Sequence, residues 1–228
     1  MPDEPLLRVR GLSVGYGEDP VCAPIDLELR AGEAVAVIGA NGTGKSTFLR
    51  TVLGLQEPLG GQAELFGARP DPRSGDLRAS VASVLGDDAF FSALTVTEHL
   101  LLTALGHRVP DARDLVAGLV EDFGLEDRAD ALPTALSSGQ RRRVLLAAAF
   151  VRPRSLLVLD EPEQRLDAGM RNRLADMLVE EREDGGAVLV ASHDPILVER
   201  ATTRVLLLHD DGVTTLDPSA GAAAIAAL

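Results

Sequence analysis

The stretch Gly39-Ala40-Asn41-Gly42-Thr43-Gly44-Lys45-Ser46-Thr47 constrains this chain more than any other. It spells G-x-x-x-x-G-K followed by serine, the pattern of a loop that wraps its backbone around nucleotide phosphates. Glycines let successive N–H groups converge on a polyanion, Lys45 adds a mobile positive charge, and the Ser46 hydroxyl suits Mg²⁺. The flanks agree. Glu33-Ala34-Val35-Ala36-Val37-Ile38 is a short apolar, β-branched run that reads as a buried strand. Phe48, Leu49, Val52, Leu53 and Leu55 follow at helical spacing, which sets the loop at a helix N-terminus, where backbone donors and the dipole favour anions. A glycine-rich turn matching by chance would lack this frame.

The 228 residues suffice for one large domain or two small lobes, and 46% hydrophobic with 25% charged residues describes a globular chain. No apolar run reaches the ~18–20 residues that span a bilayer. Met1-Pro2-Asp3-Glu4-Pro5 lacks the basic and apolar regions of a secretory signal, so a cytoplasmic location is expected. A net charge of −13 argues against extended contact with nucleic acid, which rewards basic surfaces. The single cysteine, Cys22, reads as a small inert hydrophobe. Asp71 to Asp76 reads as surface loop, and the alanine-rich tail from Ser219 as loosely ordered.

In chain order, Leu7, Val9, Leu12 and Val14 suggest strand, and Ile25, Leu27 and Leu29 alternate with polar residues at period two. Tyr16 lies between Gly15 and Gly17; such an aromatic either packs or offers a π-face to a purine base. Beyond the first helix, Gln62–Phe66 and Val81–Leu85 are strand candidates. From Thr95 to about Phe150 the apolar spacing turns helical, with Asp111 and Gly124 as cap and stop signals. Leu136-Ser137-Ser138-Gly139-Gln140 then precedes Arg141-Arg142-Arg143; the serines read as a plain N-cap or a second phosphate-facing helix start, the arginines as its solvent face.

The apolar strand Ser155–Leu159 ends in Asp160-Glu161, and adjacent carboxylates there need a reason. At the carboxyl edge of a parallel sheet beside a phosphate loop, Asp160 can hold Mg²⁺ and Glu161 can polarise a water; an acidic helix start is the plainer alternative. Strand Ala187–Ala191 brings Ser192-His193-Asp194 to the same edge, while His99, His107 and His209 read as surface residues. Val205–Leu208 and Val213–Leu216 read as a hairpin.

In this order and spacing, the motifs make the chain resemble the nucleotide-binding subunit of an ATP-binding cassette (ABC) transporter over almost its whole length. The resemblance makes Gly39–Thr47 the Walker A loop, Tyr16 the adenine-stacking aromatic and Leu136–Gln140 a signature matching LSGGQ at four of five positions. It makes Leu156–Glu161 the Walker B strand, Asp167 the end of the D-loop and His193 the switch histidine. The fold it implies is α/β: a P-loop NTPase core with a mostly parallel sheet, an N-terminal antiparallel β subdomain and an inserted helical lobe. In one ABC domain over 1–228, residues 1–86 and 151–218 would form the core lobe and 87–150 the helical lobe, with 219–228 a loose tail. The implied cofactors are ATP and Mg²⁺, the ion on Ser46 and Asp160, with Lys45, Glu161 and His193 as the catalytic set. The implied partners are a second ATP-binding subunit, paired head to tail across both ATP molecules, and a separate multi-span membrane subunit that keeps this chain at the inner membrane face. Export is the implied direction.

Three departures from the family stand out. The glutamine usual after Leu85 is Gly86, with Asp87 or Asp88 as substitute oxygen donors. The signature's first glycine is Ser138, and the usual Thr-Ser-Ala before Leu166-Asp167 is Glu163-Gln164-Arg165. Gly86 and Ser138 keep a degenerate half of a heterodimer in view, with the intact Glu161 and His193 counting against it, and a soluble ATP-dependent switch stands as a separate alternative.

Overall fold

The computed structural model describes residues 4–86, 90–209 and 212–228. Asp87 and Asp88, named above as oxygen donors, lie outside them. Strand β1 (Leu7–Ser13) leads through the short pair β2 (Gly15–Tyr16) and β3 (Asp19–Pro20) to β4 (Ile25–Leu29) and β5 (Ala34–Ile38). Helix α1 (Lys45–Val52), β6 (Gly60–Leu65), α2 (Gly75–Ser80) and β7 (Val81–Val84) follow. Helices α3 (Val96–Gly106), α4 (Ala112–Asp122) and α5 (Ser138–Val151) come next. The chain then alternates through β8 (Leu156–Asp160), α6 (Ala168–Glu183), β9 (Ala187–Ala191) and α7 (Pro195–Ala201). It closes with β10 (Arg204–His209), β11 (Gly212–Leu216) and α8 (Pro218–Ile225).

The six-stranded sheet runs β11-β10-β5-β9-β8-β7, parallel apart from the β10–β11 hairpin. A separate antiparallel sheet, β4-β1-β6, supplies the N-terminal β layer. The parallel strands are apolar without alternation because both faces are covered. Ala34, Ala36 and Ile38 face one core with residues of α3 to α7. Val35 and Val37 face the other with α1 and the three-stranded sheet. Phe48 and Leu49 of α1, fully buried there, each contribute about 1.5–3 kcal/mol.

Several readings need correction. The tail is not loose: Asp217 Oδ1 accepts from Ala220 N at 2.8 Å and starts α8, which lies on α7 and β10. Small residues permit it, since a Cβ on Gly221 would come within 2.6 Å of Val205 Cγ2. Residues 71–76 are not all loop, because Ser74 caps α2. Asp111 holds the N-cap position of α4 but makes no side-chain cap bond, whereas Gly124, at φ +57°, does follow that helix's end. His99 is no surface residue: it is 4% exposed, with Phe90 and Phe91 rings at 5.7 and 5.5 Å. His107 is half-buried and His209 exposed.

Candidate active site

Parallel strands end at one edge, so β5, β8 and β9 deliver the loop after Ile38, the Asp160-Glu161 pair and His193 to the same place. The loop after β5 is shaped by close approaches. Gly39 has φ +152°, and a Cβ there would stand 2.5 Å from Leu208 O; one on Gly44, at φ +89°, would stand 2.5 Å from Val21 Cγ2. Thr43 Oγ1 donates to Ala40 O at 2.9 Å, and Gly44 caps α1 with no side-chain bond. The first-turn N–H groups of Lys45, Ser46 and Thr47 therefore lack helical acceptors.

Lys45 is 5% exposed, its Nζ donating to Gly39 O at 2.8 Å and Ala40 O at 3.0 Å. Burial lowers its pKa from the ordinary lysine value, and the charges of Glu161, Asp160 and Glu163 oppose the shift. Burial raises the Asp160 carboxyl, partly offset by a hydrogen bond with Ser46. Its Oδ1 is buried with no hydrogen-bond partner. A buried carboxylate oxygen without a donor, beside a serine hydroxyl, is the hard-oxygen set that suits Mg²⁺ retaining several waters.

Glu161 sits at φ +46°, just past β8 and held to the end of neighbouring β9 by its N–H on Ala191 O at 2.8 Å. Its Oε1 lies 3.4 Å from His193 Nε2, a contact without hydrogen-bond alignment, and its Oε2 accepts from Gln164 Nε2. Burial first, then the charge of Lys45, lowers the His193 pKa, with Glu161 opposing. Tyr16, 65% exposed, accepts at Oη from Thr47 Oγ1 at 3.3 Å, so its ring stands free beside the phosphate loop. Gly86, after β7, would meet nothing within 4 Å among the described residues if it carried a Cβ.

Leu136–Gln140 stands apart; no hydrogen bond among the described residues joins it to the phosphate loop. Ser137, not Ser138, is the N-cap of α5, in a capping box with Gln140 at 3.2 and 2.9 Å. Gly139 abuts the turn after β8, where a Cβ would lie 2.7 Å from Arg165 O. Asp167 caps α6 through Met170 N at 2.9 Å and pairs with Arg143.

Of the arginine run, read above as a solvent face, Arg141 is exposed, Arg143 partly covered and Arg142 buried. Arg142 is 4% exposed and donates to Asp160 O at 2.7 Å, Glu161 O at 2.8 Å and Pro162 O at 3.5 Å. Glu163, 9% exposed, is a second residue whose place the sequence did not reveal: its Oε1 accepts from His193 N at 2.7 Å. The period of α5 does not single out Arg142, since Arg141, Arg142 and Arg143 each stand four residues before a buried apolar residue.

A phosphate loop on a helix start, two carboxylates and a histidine at one edge of a parallel sheet define a P-loop nucleotide-binding domain. A family profile described as ABC transporter matches residues 22–164, so the chain belongs to the ABC transporter ATP-binding family. It is 35% identical to the cytochrome c biogenesis ATP-binding export protein CcmA of Paraburkholderia xenovorans, over 91% of this chain and 98% of that one. It is 36% identical to the aliphatic sulfonates import ATP-binding protein SsuB of Pseudomonas putida, over 91% of this chain and 74% of that one. A solved ATP-binding subunit of an ABC transporter superposes with a TM-score of 0.84 at 30% identity, covering 93% of this chain and 90% of that one. Both export and import proteins are thus among its relatives.

Proposed function

We propose that the chain hydrolyses ATP and passes the resulting conformational work to a separate membrane subunit. The observation that carries this reading is the Glu161–His193 contact of 3.4 Å at the edge that also holds Lys45 and Asp160. The loop Gly39–Thr47 binds the phosphates and Tyr16 stacks on the base. Ser46 and Asp160 would hold Mg²⁺, which when bound neutralises charge on the phosphate oxygens. Glu161 polarises the attacking water, whose oxygen bonds to the terminal phosphorus as the bond to ADP breaks. His193 faces the same phosphate from β9, and Lys45 leaves its two carbonyls to meet the transferring group.

The N–H groups of Ser138 and Gly139 open α5 and have no helical acceptor. With no hydrogen bond joining the signature to the phosphate loop among the described residues, this supports a second subunit whose ATP the α5 start would meet. No helix among the described residues is long and apolar enough to cross a membrane, which supports a separate transmembrane partner. A groove of about 550 Å³ between the sheet and α3, lined by Leu85, Phe90, Phe91, His99, Leu145 and Arg152, offers it an apolar seat. That partner, with relatives serving both directions, sets whether transport is outward or inward.

Mg²⁺-dependent phosphate release across a protein concentration series tests the reading, with Glu161→Gln as the blank. Turnover should rise more than linearly with protein and fall at least about a hundredfold in the variant, with ATP still bound. Equal turnover in the variant would refute the role of Glu161.

A further inference from the structure

The turn after β8 carries two side chains that reach the reactive pair without belonging to it. Glu163 is buried, its Oε1 accepting from His193 N at 2.7 Å. Its Oε2 is buried without a hydrogen-bond partner, and burial raises the pKa of this carboxyl. Gln164 is exposed and donates from Nε2 to Glu161 Oε2, and its N–H meets Glu161 O at 3.2 Å. Leu166 N on Glu163 O at 3.2 Å closes the next bond of the same turn.

A buried acid whose desolvation outweighs the hydrogen bonds offered by His193, Ser192 and its own backbone is a poor way to stabilise a turn. The oxygen that is matched holds the backbone of the histidine facing Glu161. Residues 161 and 193 lie on separate strand ends, and nothing in the strand ladder fixes where the loop after Ser192 places its imidazole. From this geometry we infer that Glu163 is a positioning residue for the hydrolytic step: it ties the backbone of His193 to the turn that carries Glu161 and so sets their separation. Gln164 holds the other member of the pair from the same turn. The inference rests on the ATP-hydrolysis reading above.

The test compares the purified full chain with Glu163→Leu, which keeps volume and removes the acceptor, and Glu163→Gln, which keeps an acceptor oxygen. Each is made with His193 intact and with His193→Ala, and folding is checked by thermal melting. Glu163→Leu should lower kcat about 10- to 100-fold with KM for ATP within about threefold, as expected for one lost positioning bond. Glu163→Gln should stay within about threefold of the parent. On the His193→Ala background, Glu163→Leu should cost less than about twofold, since the group it positions is gone. Unchanged kcat in Glu163→Leu overturns the inference, as does an equal loss on both backgrounds. If Glu163→Leu does not fold, the smaller Glu163→Ala, which also lacks an acceptor, replaces it with the same two outcomes. A parent that binds ATP yet shows no Mg²⁺-dependent turnover refutes the hydrolysis reading itself, visibly apart from any effect of residue 163.

Discussion

Arg142 Nη2 donates at 2.7 Å to the carbonyl of Asp160, tying the first turn of α5 to the end of β8. The same guanidinium reaches Glu161 O at 2.8 Å, so the helix start that faces outward and the sheet edge that faces the nucleotide loop share one buried group. A displacement of α5 by a partner would therefore pull on the backbone of both carboxylates. Planarity matters here, because a guanidinium can serve several carbonyls at once and an ammonium cannot do so in the same geometry.

Arg142→Ala should strand these carbonyls in a site that is 4% exposed. The cost is about 2–4 kcal/mol, or roughly 5–15 °C in Tm for a domain of this size. Arg142→Lys should recover only part of it. Thermal melting of the three proteins decides; an alanine variant that melts with the parent contradicts the bracing role.

A Cβ at Gly86 would meet nothing within 4 Å among the described residues, so a side chain can start there without backbone strain. Gly86→Gln brings an amide just past the end of β7, the strand paired with β8, which ends in Asp160. If it restores one hydrogen bond to the reacting water, turnover should rise about fivefold, the equivalent of about 1 kcal/mol. A rate unchanged at saturating Mg²⁺ and ATP would mean that glycine is no impediment at this position.

Gly139 lies against the turn after β8, where a Cβ would stand 2.7 Å from Arg165 O. Backbone cannot yield as a flexible side chain does, so Gly139→Ala should destabilise by about 1–3 kcal/mol. It should also disturb any partner contact made by the signature. Urea unfolding reads the first effect. Wild-type stability would show that α5 shifts freely against this turn.

His99 brings a pH dependence. Burial lowers its pKa from the ordinary 6.5, and its Nδ1 is buried without a partner. The folded chain thus favours neutral imidazole while the unfolded chain protonates first. Its contribution is complete above about pH 6.5 and is lost as pH falls below that value, by at most about 1.4 kcal/mol per unit. Arg152, the charged residue lining the same groove among the described residues, adds no compensating negative charge. His99→Gln should flatten this acid limb relative to the parent, in urea unfolding at pH 8, 7, 6 and 5.5. Parallel profiles would sink the argument.

The phosphate loop, the strands that end at its edge and a serine cap before α5 were legible in the sequence because each is a local pattern. A run of β-branched residues, a glycine where φ is positive, or a serine just before a helix acts within a few positions. Glu161 and His193 were legible for a related reason: parallel strands have a common carboxyl edge, so knowing that each residue ends a strand already places them together.

What tertiary structure alone decided was burial. Three adjacent arginines look alike in sequence, yet Arg141 is exposed, Arg143 partly covered and Arg142 buried, because the carbonyls that receive Arg142 belong to a turn 18–20 residues away. Whether Glu163 reaches His193, 30 residues on, depends on how the β8 and β9 loops meet. His99 is a surface residue by its polar neighbours and a buried one once Phe90 and Phe91 close on it. The alanine-rich tail carries little apolar surface of its own, and its helix is settled by packing on β10 through Gly221. Local patterns specify which backbone conformation a segment takes and where its chemistry emerges. Which charged side chains lose their water depends on contacts between segments distant in the chain, and no short-range signal encodes that.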